Sequence, residues 1–267
     1  MGAAMFRGCR KYAVLASKGF SQNLAYSASH LINTVASAIF GLIYINIWRA
    51  VTPPQGFADY TPLTIAHYIA FNQVTLWLTQ FGMRVNTRIA ESVRSGSIAQ
   101  ELARPVGYFE YRVVSELGSQ WYSFLFRGVP VGFMLAFIGF YIPQRAETWL
   151  WTLVSLVFAG YIGVVMGYIT GVTAFWTTEI RTAWWVLSNL SLGLGGASMP
   201  LEVLPSTLGN LSRALPFACL SFYPARIYLE LSGPHLIWYS VFWSLAVTFA
   251  ALVLTTMARR RLEVQGG

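Results

Sequence analysis

Six stretches of the chain stay apolar for more than 20 residues each, and polar segments of very unequal length separate them. They run near Leu24–Trp48, Leu63–Met83, Ser115–Ile142, Trp149–Trp176, Ala183–Leu204 and Leu236–Met257. A helix rising 1.5 Å per residue needs about 20 residues to cross a hydrocarbon core about 30 Å thick. Open sheet edges cannot be satisfied in lipid, so helices are the expected solution. The pattern predicts an all-α polytopic membrane protein with a six-span domain over residues 23–262 and a short tail over 263–267. Ahead of it, Met5–Phe20 is too polar to span. On a helical wheel Phe6, Cys9, Ala13, Ala16 and Phe20 share one face, and Arg7, Lys11 and Lys18 share the opposite one. Residues 1–22 therefore read as a helix lying flat in the headgroup layer.

Two segments break the simple pattern. The connection over residues 84–112 is far longer than the roughly 2–8 residues that join neighbouring helices. Within it Ile89, Val93, Ile98 and Leu102 recur at spacings of four, five and four, with polar residues between them. A short amphipathic helix pair broken at Gly96 and stopped before Pro105 fits that pattern. The second segment follows the fifth apolar stretch. Gly193, Gly195, Gly196, Pro200, Pro205, Pro216 and Pro224 punctuate a stretch that is otherwise apolar. Proline removes a helical hydrogen bond, and irregular backbone at membrane depth is tolerated only where protein or a water-filled cavity covers it. A broken, partly re-entrant segment over 198–228 is expected.

Composition fits a membrane chain. Of 267 residues 55% are hydrophobic and 10% charged, and the mean hydropathy is +0.53. Soluble domains carry about 25% charged residues. The net charge of +8 acquires meaning from its placement. Arg7, Arg10, Lys11, Lys18, Arg84, Arg88, Arg94, Arg104, Arg112, Arg181 and Arg259–Arg261 all fall on one side of the six spans, thirteen of the 18 basic residues. Basic residues are retained in the cytoplasm, so both termini are expected there, and a nucleic-acid partner is not. Cys9 and Cys219 have no metal-ligand spacing around them. The first residues lack the order of a signal peptide, so the N-terminal segment is expected to stay in place.

A family resemblance rests on this order of elements and on particular residues. The fifth stretch is followed by Met199-Pro200-Leu201-Glu202-Val203-Leu204-Pro205, then Leu215-Pro216 and Tyr223-Pro224-Ala225-Arg226. Gly96-Ser97-Ile98 and Leu102-Ala103-Arg104-Pro105-Val106 lie in the long connection. The chain resembles the membrane-spanning permease of a type-2 ABC exporter, in the bacterial branch found beside daunorubicin-resistance-like ATPases. That resemblance implies a dimer with a second permease subunit, the same or different, and separate ABC ATPase subunits that bind ATP and Mg. The location would be the bacterial inner membrane, and the cargo a hydrophobic or amphipathic molecule, drug-like or lipid-like. Glu91, Ser92, Arg94, Gly96, Ser97, Gln100, Glu101 and Arg104 would then couple to the ATPase. No Gly-x-x-x-x-Gly-Lys-Ser/Thr occurs, and the only lysines are Lys11 and Lys18, so the chain is not itself the ATPase and no cofactor is expected on it.

Polar residues inside the spans have two readings, contacts between helices or the lining of a path. Asn72, Gln73, Trp77 and Gln80 lie in the second span, Arg127 in the third, Ser188 and Asn189 in the fifth. Asn72, Gln73, Trp77, Arg127, Ser188 and Asn189 are the candidate pathway residues. Glu116 and Arg127 are eleven positions apart, about 16 Å along a helix, too far to pair. Gly163, Gly167 and Gly171 form a flat ridge for a neighbouring helix. Two other classes remain open. Gly196-Ala197-Ser198 with His235 is similar to the serine motif of rhomboid intramembrane proteases, although Met199-Pro200 follows the serine directly. An ATP-independent channel is the other.

Overall fold

The computed structural model describes residues 2–22, 27–79, 84–138, 141–177 and 180–266. Among them there is no strand, and twelve α-helices carry the fold. These are α1 (Gly2–Ser21), α2 (Ser27–Val51), α3 (Pro62–Thr79), α4 (Val85–Arg94), α5 (Ile98–Leu102) and α6 (Tyr108–Ser123). They continue with α7 (Val129–Leu135), α8 (Ala146–Val172), α9 (Arg181–Leu194), α10 (Ser206–Ala214), α11 (Phe222–Tyr228) and α12 (Ile237–Gly266). Gln80 and Met83, at the end of the second predicted span, lie outside the described residues.

Among the described residues three segments are long and apolar enough to cross a membrane: Leu31–Val51, Ala146–Phe175 and Pro234–Arg261. Of the other predicted stretches, the second is described as a helix as far as Thr79, and the third and fifth are interrupted. Helix α3 begins where Thr61 Oγ1 accepts from the Thr64 N–H at 3.1 Å and Pro62 takes the first helical position. The third stretch divides into α6 and α7. Pro130 has no N–H for the Phe126 carbonyl, and the turn before it widens into a π-helical turn over Phe124–Gly128. The fifth stretch stops as a helix at Leu194, where Gly195 and Gly196 intervene, the latter at φ +76°. Beyond it come the short helices α10 and α11, so the proline-rich segment is broken as expected.

Helix α8 is the central post. Its Gly163 and Gly171 lie against the chain of α3 and α4, where an added Cβ would sit 3.0 Å from the Thr79 carbonyl and 2.7 Å from Asn86 Cα. The glycine ridge therefore receives neighbours from its own subunit. On another face α8 meets α12 through two rungs. Tyr161 OH and Thr248 Oγ1 are 2.6 Å apart, and so are Tyr168 OH and Thr255 Oγ1. Both rungs repeat at seven residues on each helix, which keeps them on one seam. Helix α1 does not stand alone. Gly19 and Gly118 bring α1 and α6 into backbone contact, where a Cβ at Gly118 would fall 2.0 Å from the Ala16 carbonyl oxygen. Phe20 then meets Tyr122 edge-on at 5.1 Å. Ala16, Gly19 and Phe20 face α6, whereas Ala13 is exposed.

Candidate functional site

The described chain from Arg84 to α6 is a bracket rather than a slack loop. Gly96, at φ +72°, reverses the chain between α4 and α5. Arg112 of α6 is its hub: the guanidinium lies 2.6 Å from Glu101, donates to the Ser92 hydroxyl and reaches the Arg88 carbonyl at 3.4 Å. The Ser92 hydroxyl in turn donates to Glu101 at 3.1 Å. Arg88 pairs with Glu116 at 3.1 Å, so Glu116 is engaged by the bracket. Arg104 lies over the Tyr111 ring at 4.4 Å. Burial pushes the Tyr108 phenol beneath the hub up to about 12, against the opposing pull of Arg112. Of the eight candidate coupling residues, Ser92 and Glu101 thus face inward as struts. Glu91, Arg94, Gly96, Gln100 and Arg104 are exposed, and Ser97 is half-exposed.

The candidate pathway residues separate into groups. Asn72 is fully buried; its Nδ2 donates to the Gly196 carbonyl at 3.1 Å, and Tyr68 OH donates to the same oxygen at 2.5 Å. Trp48 Nε1 donates to the Ser198 carbonyl at 2.9 Å. Asn72 is therefore a strut that holds the break after α9. Gln73 and Trp77 do face a cavity, of about 200 Å³, walled by Phe40 and Tyr44 of α2 and by Leu192 and Ser198. Arg127, on the π-helical turn, lies behind that wall with its guanidinium 5.0 Å from the Trp77 ring centre. Ser188 and Asn189 are not part of that lining; the Asn189 amide donates back to the Trp185 carbonyl at 2.7 Å. Of the whole of α9 only Ser191 is buried, and Trp185, Val186 and Leu190 are exposed, as are Phe40, Ile43 and Ile47 of α2.

At the opposite end of the helices from the bracket is a second polar system that sequence reasoning missed. Arg226 of α11 sits 2.6 Å from both Glu202 and Asp59 and donates to Ser232 Oγ at 2.8 Å. Four residues on, Glu230 ends α11 at φ +56°, a left-handed conformation usually taken by glycine. The Leu231 N–H returns to the Arg226 carbonyl at 3.0 Å and the Glu230 N–H to Ile227 at 3.1 Å, the double bond of a Schellman stop. The Glu230 carboxylate accepts four hydrogen bonds. Tyr141 OH and the Gln144 N–H donate to Oε2 at 2.7 and 2.9 Å, and the Arg145 N–H and Thr148 hydroxyl to Oε1 at 2.9 and 2.8 Å. It thereby caps the N-terminus of α8. Burial alone would raise its pKa, but these four donors hold it down to about 2. Tyr228 OH closes the joint on the Tyr141 carbonyl at 2.5 Å.

The family model described as ABC-2 family transporter protein matches residues 31–266. The chain belongs to the ABC-2 transporter family. The match starts within α2 and takes in the bracket, the proline-rich segment and α12. An ABC-2 chain is the membrane component of a transporter, which agrees with the apolar helices and with the absence of a nucleotide-binding motif. No curated protein matches this ABC-2 chain. The protease reading gains nothing from the structure: the Ser198 hydroxyl donates to the Leu192 carbonyl at 3.2 Å, six residues back on α9.

Proposed function

We propose that this ABC-2 chain is the permease of an ATP-driven exporter, a six-span half of a dimer with both termini in the cytoplasm. What carries the reading is the α4–α5 bracket. It is locked to α6 by Arg112 and presents Glu91, Arg94, Gln100 and Arg104 outward, so a force applied to its tip reaches a membrane helix without being absorbed by a loop. A separate ABC ATPase would supply that force as its two subunits close on ATP. The π-helical turn between α6 and α7 gives the third span a place to bend, and α10 and α11 form the re-entrant outer segment. The exposed apolar faces of α2 and α9, on either side of the cavity holding Gln73 and Trp77, suit a second permease subunit. Cargo would be hydrophobic or amphipathic, since the lining offers aromatic rings and one amide.

The test is purification of the tagged full chain with the polypeptides that accompany it, followed by ATP hydrolysis and dye export in vesicles. The reading predicts a copurifying P-loop ATPase, and hydrolysis uncoupled from export by Gln100→Glu or Arg104→Glu. Export that continues without any ATPase would overturn it.

A further inference from the structure

The cavity that Gln73 and Trp77 face is closed at its outer end by the chain just after α9. Ala197 and Ser198 line it, and Tyr68 and Trp48 hold the carbonyls of Gly196 and Ser198. Trp48 stands one turn beyond Tyr44 on α2, and Tyr68 more than one turn before Gln73 on α3, so both bonds lie outward of the lining. Four residues past Ser198, Glu202 meets Arg226 of α11 at 2.6 Å, and Arg226 meets Asp59 of the α2–α3 turn at the same distance. One guanidinium thus ties the roof of the cavity and α11 to the α2–α3 turn. That turn is shaped to present Asp59. Phe57 and Tyr60 exchange two backbone hydrogen bonds of 2.9 Å. Between them Ala58 takes φ +46°, a left-handed conformation that strains a non-glycine residue and persists only where the surroundings fix it. Tyr60, 1% exposed, packs edge-on against Tyr68 at 5.5 Å, and Tyr68 is the side chain that holds the roof.

The two halves of this tie differ in how much water they see. The Arg226 and Glu202 side chains are each 12% exposed, whereas that of Asp59 is 53% exposed. Parting Arg226 from Glu202 would strand two shielded charges, which is strongly unfavourable. Asp59 can leave Arg226 and be rehydrated at little cost. We infer that the Asp59–Arg226 contact is the releasable latch on the outer end of this cavity. Arg226 is a positioning residue that stays with Glu202 and the roof, and the α2–α3 turn parts from it when the cavity opens outward. This latch rests on the proposed orientation, which puts that end outside.

The experiment labels the full chain in intact cells with the sulfonatoethyl methanethiosulfonate anion, a small thiol reagent that does not cross the membrane. Gln73→Cys places the target in the cavity and Cys9→Ser removes one native thiol. Cys219, fully buried, is kept as the reporter of an intact fold, and mass spectrometry assigns the label to each site. The parent is expected to react slowly at Gln73→Cys. Asp59→Asn should raise that rate several-fold, and Asp59→Glu should bring it back towards the parent. In an Arg226→Gln background Asp59→Asn should add nothing further. Glu230→Gln, which loosens the neighbouring clamp on α8, should leave the rate unchanged. The same series in inside-out vesicles separates the latch from the orientation: acceleration found only there refutes the orientation and leaves the latch standing. An unchanged rate in Asp59→Asn in both preparations, an equal rise in Glu230→Gln, or additive effects of Asp59→Asn and Arg226→Gln would each overturn the inference. Reaction of Cys219 in Asp59→Asn would also overturn it, because the contact would then be a staple of the fold. The readout needs neither an ATPase nor export.

Discussion

Glu230 provides a quantitative test of how the two ends of the polypeptide between α7 and α12 are held. Its carboxylate satisfies two backbone N–H groups ahead of α8, the Tyr141 phenol and the Thr148 hydroxyl. Replacement by Gln keeps the shape but leaves one acceptor oxygen, so two of the four donors lose their partner and meet an amide N–H₂ instead. Bonds to a charged acceptor contribute about 1.5–3 kcal/mol each in favourable cases, and exposure to solvent lowers that figure. A net loss of about 2–3 kcal/mol is expected for Glu230→Gln. Glu230→Ala and Glu230→Gly lose all four bonds, but they differ in the backbone. A non-glycine residue at φ +56° costs about 1 kcal/mol or more in the left-handed region, and glycine escapes that cost. Glu230→Gly should therefore be more stable than Glu230→Ala by about 1 kcal/mol. The pH dependence has a definite sign. A carboxyl whose pKa falls from its ordinary 4.5 to about 2 on folding stabilises the fold fully above 4.5, and that contribution is lost as pH falls towards 2. The gap between wild type and Glu230→Gln should accordingly close over that window. Reversible unfolding in mixed micelles, followed by near-ultraviolet circular dichroism, measures all four proteins. If the alanine variant equals or exceeds the glycine variant in stability, or the gap does not change with pH, the clamp is misassigned.

Three further outcomes follow from the packing. Arg112→Ala leaves the largely shielded Glu101 carboxylate without its cation and should cost about 3 kcal/mol, the lower end for a buried pair; amide exchange in α4 and α5 should rise before it rises in α8. Gly118→Leu forces α1 away from α6, because even its Cβ would fall 2.0 Å from the Ala16 carbonyl oxygen; protease sensitivity within residues 2–22 reports the displacement, with α8 unaffected. Tyr168→Phe and Thr255→Val together with the single changes form a double-mutant cycle, and the rung should contribute about 0.6 kcal/mol and no more than about 1.7 kcal/mol.

The elements that could be read from sequence share a local signal. Apolar runs announced α2, α8 and α12, the spacing of Ile89 and Ile98 announced the bracket, and Gly163 and Gly171 announced a close approach. Interruptions were partly legible: the prolines from Pro200 to Pro224 marked the break after α9, whereas the third span was expected to run unbroken, because the lone Pro130 does not say whether a helix kinks, stops or widens into a π turn. The clamps were not legible, because their partners are remote. Glu230 finds Tyr141 across 89 residues and Arg226 finds Asp59 across 167, and nothing in either neighbourhood encodes the other. The stop after α11 was hidden further, since glutamate stands where glycine would have marked it. Among the pathway residues, chemistry alone could not separate Asn72, a backbone strut, from Gln73 at the next position, which faces a cavity. Helix rotation decided that, and it depends on how α3 packs.

If the α4–α5 bracket receives an ATPase on the cytoplasmic side, its exposed tip must come within reach of that partner. A photo-crosslinking side chain placed at the exposed position Gln100, with Gln144 near the other end as the control, tests this in intact membranes. Gln100 is expected to capture a polypeptide carrying the Gly-x-x-x-x-Gly-Lys-Ser/Thr motif, and Gln144 is not. Capture of that polypeptide from Gln144, or its absence at Gln100 when it is present in the same membranes, would contradict it.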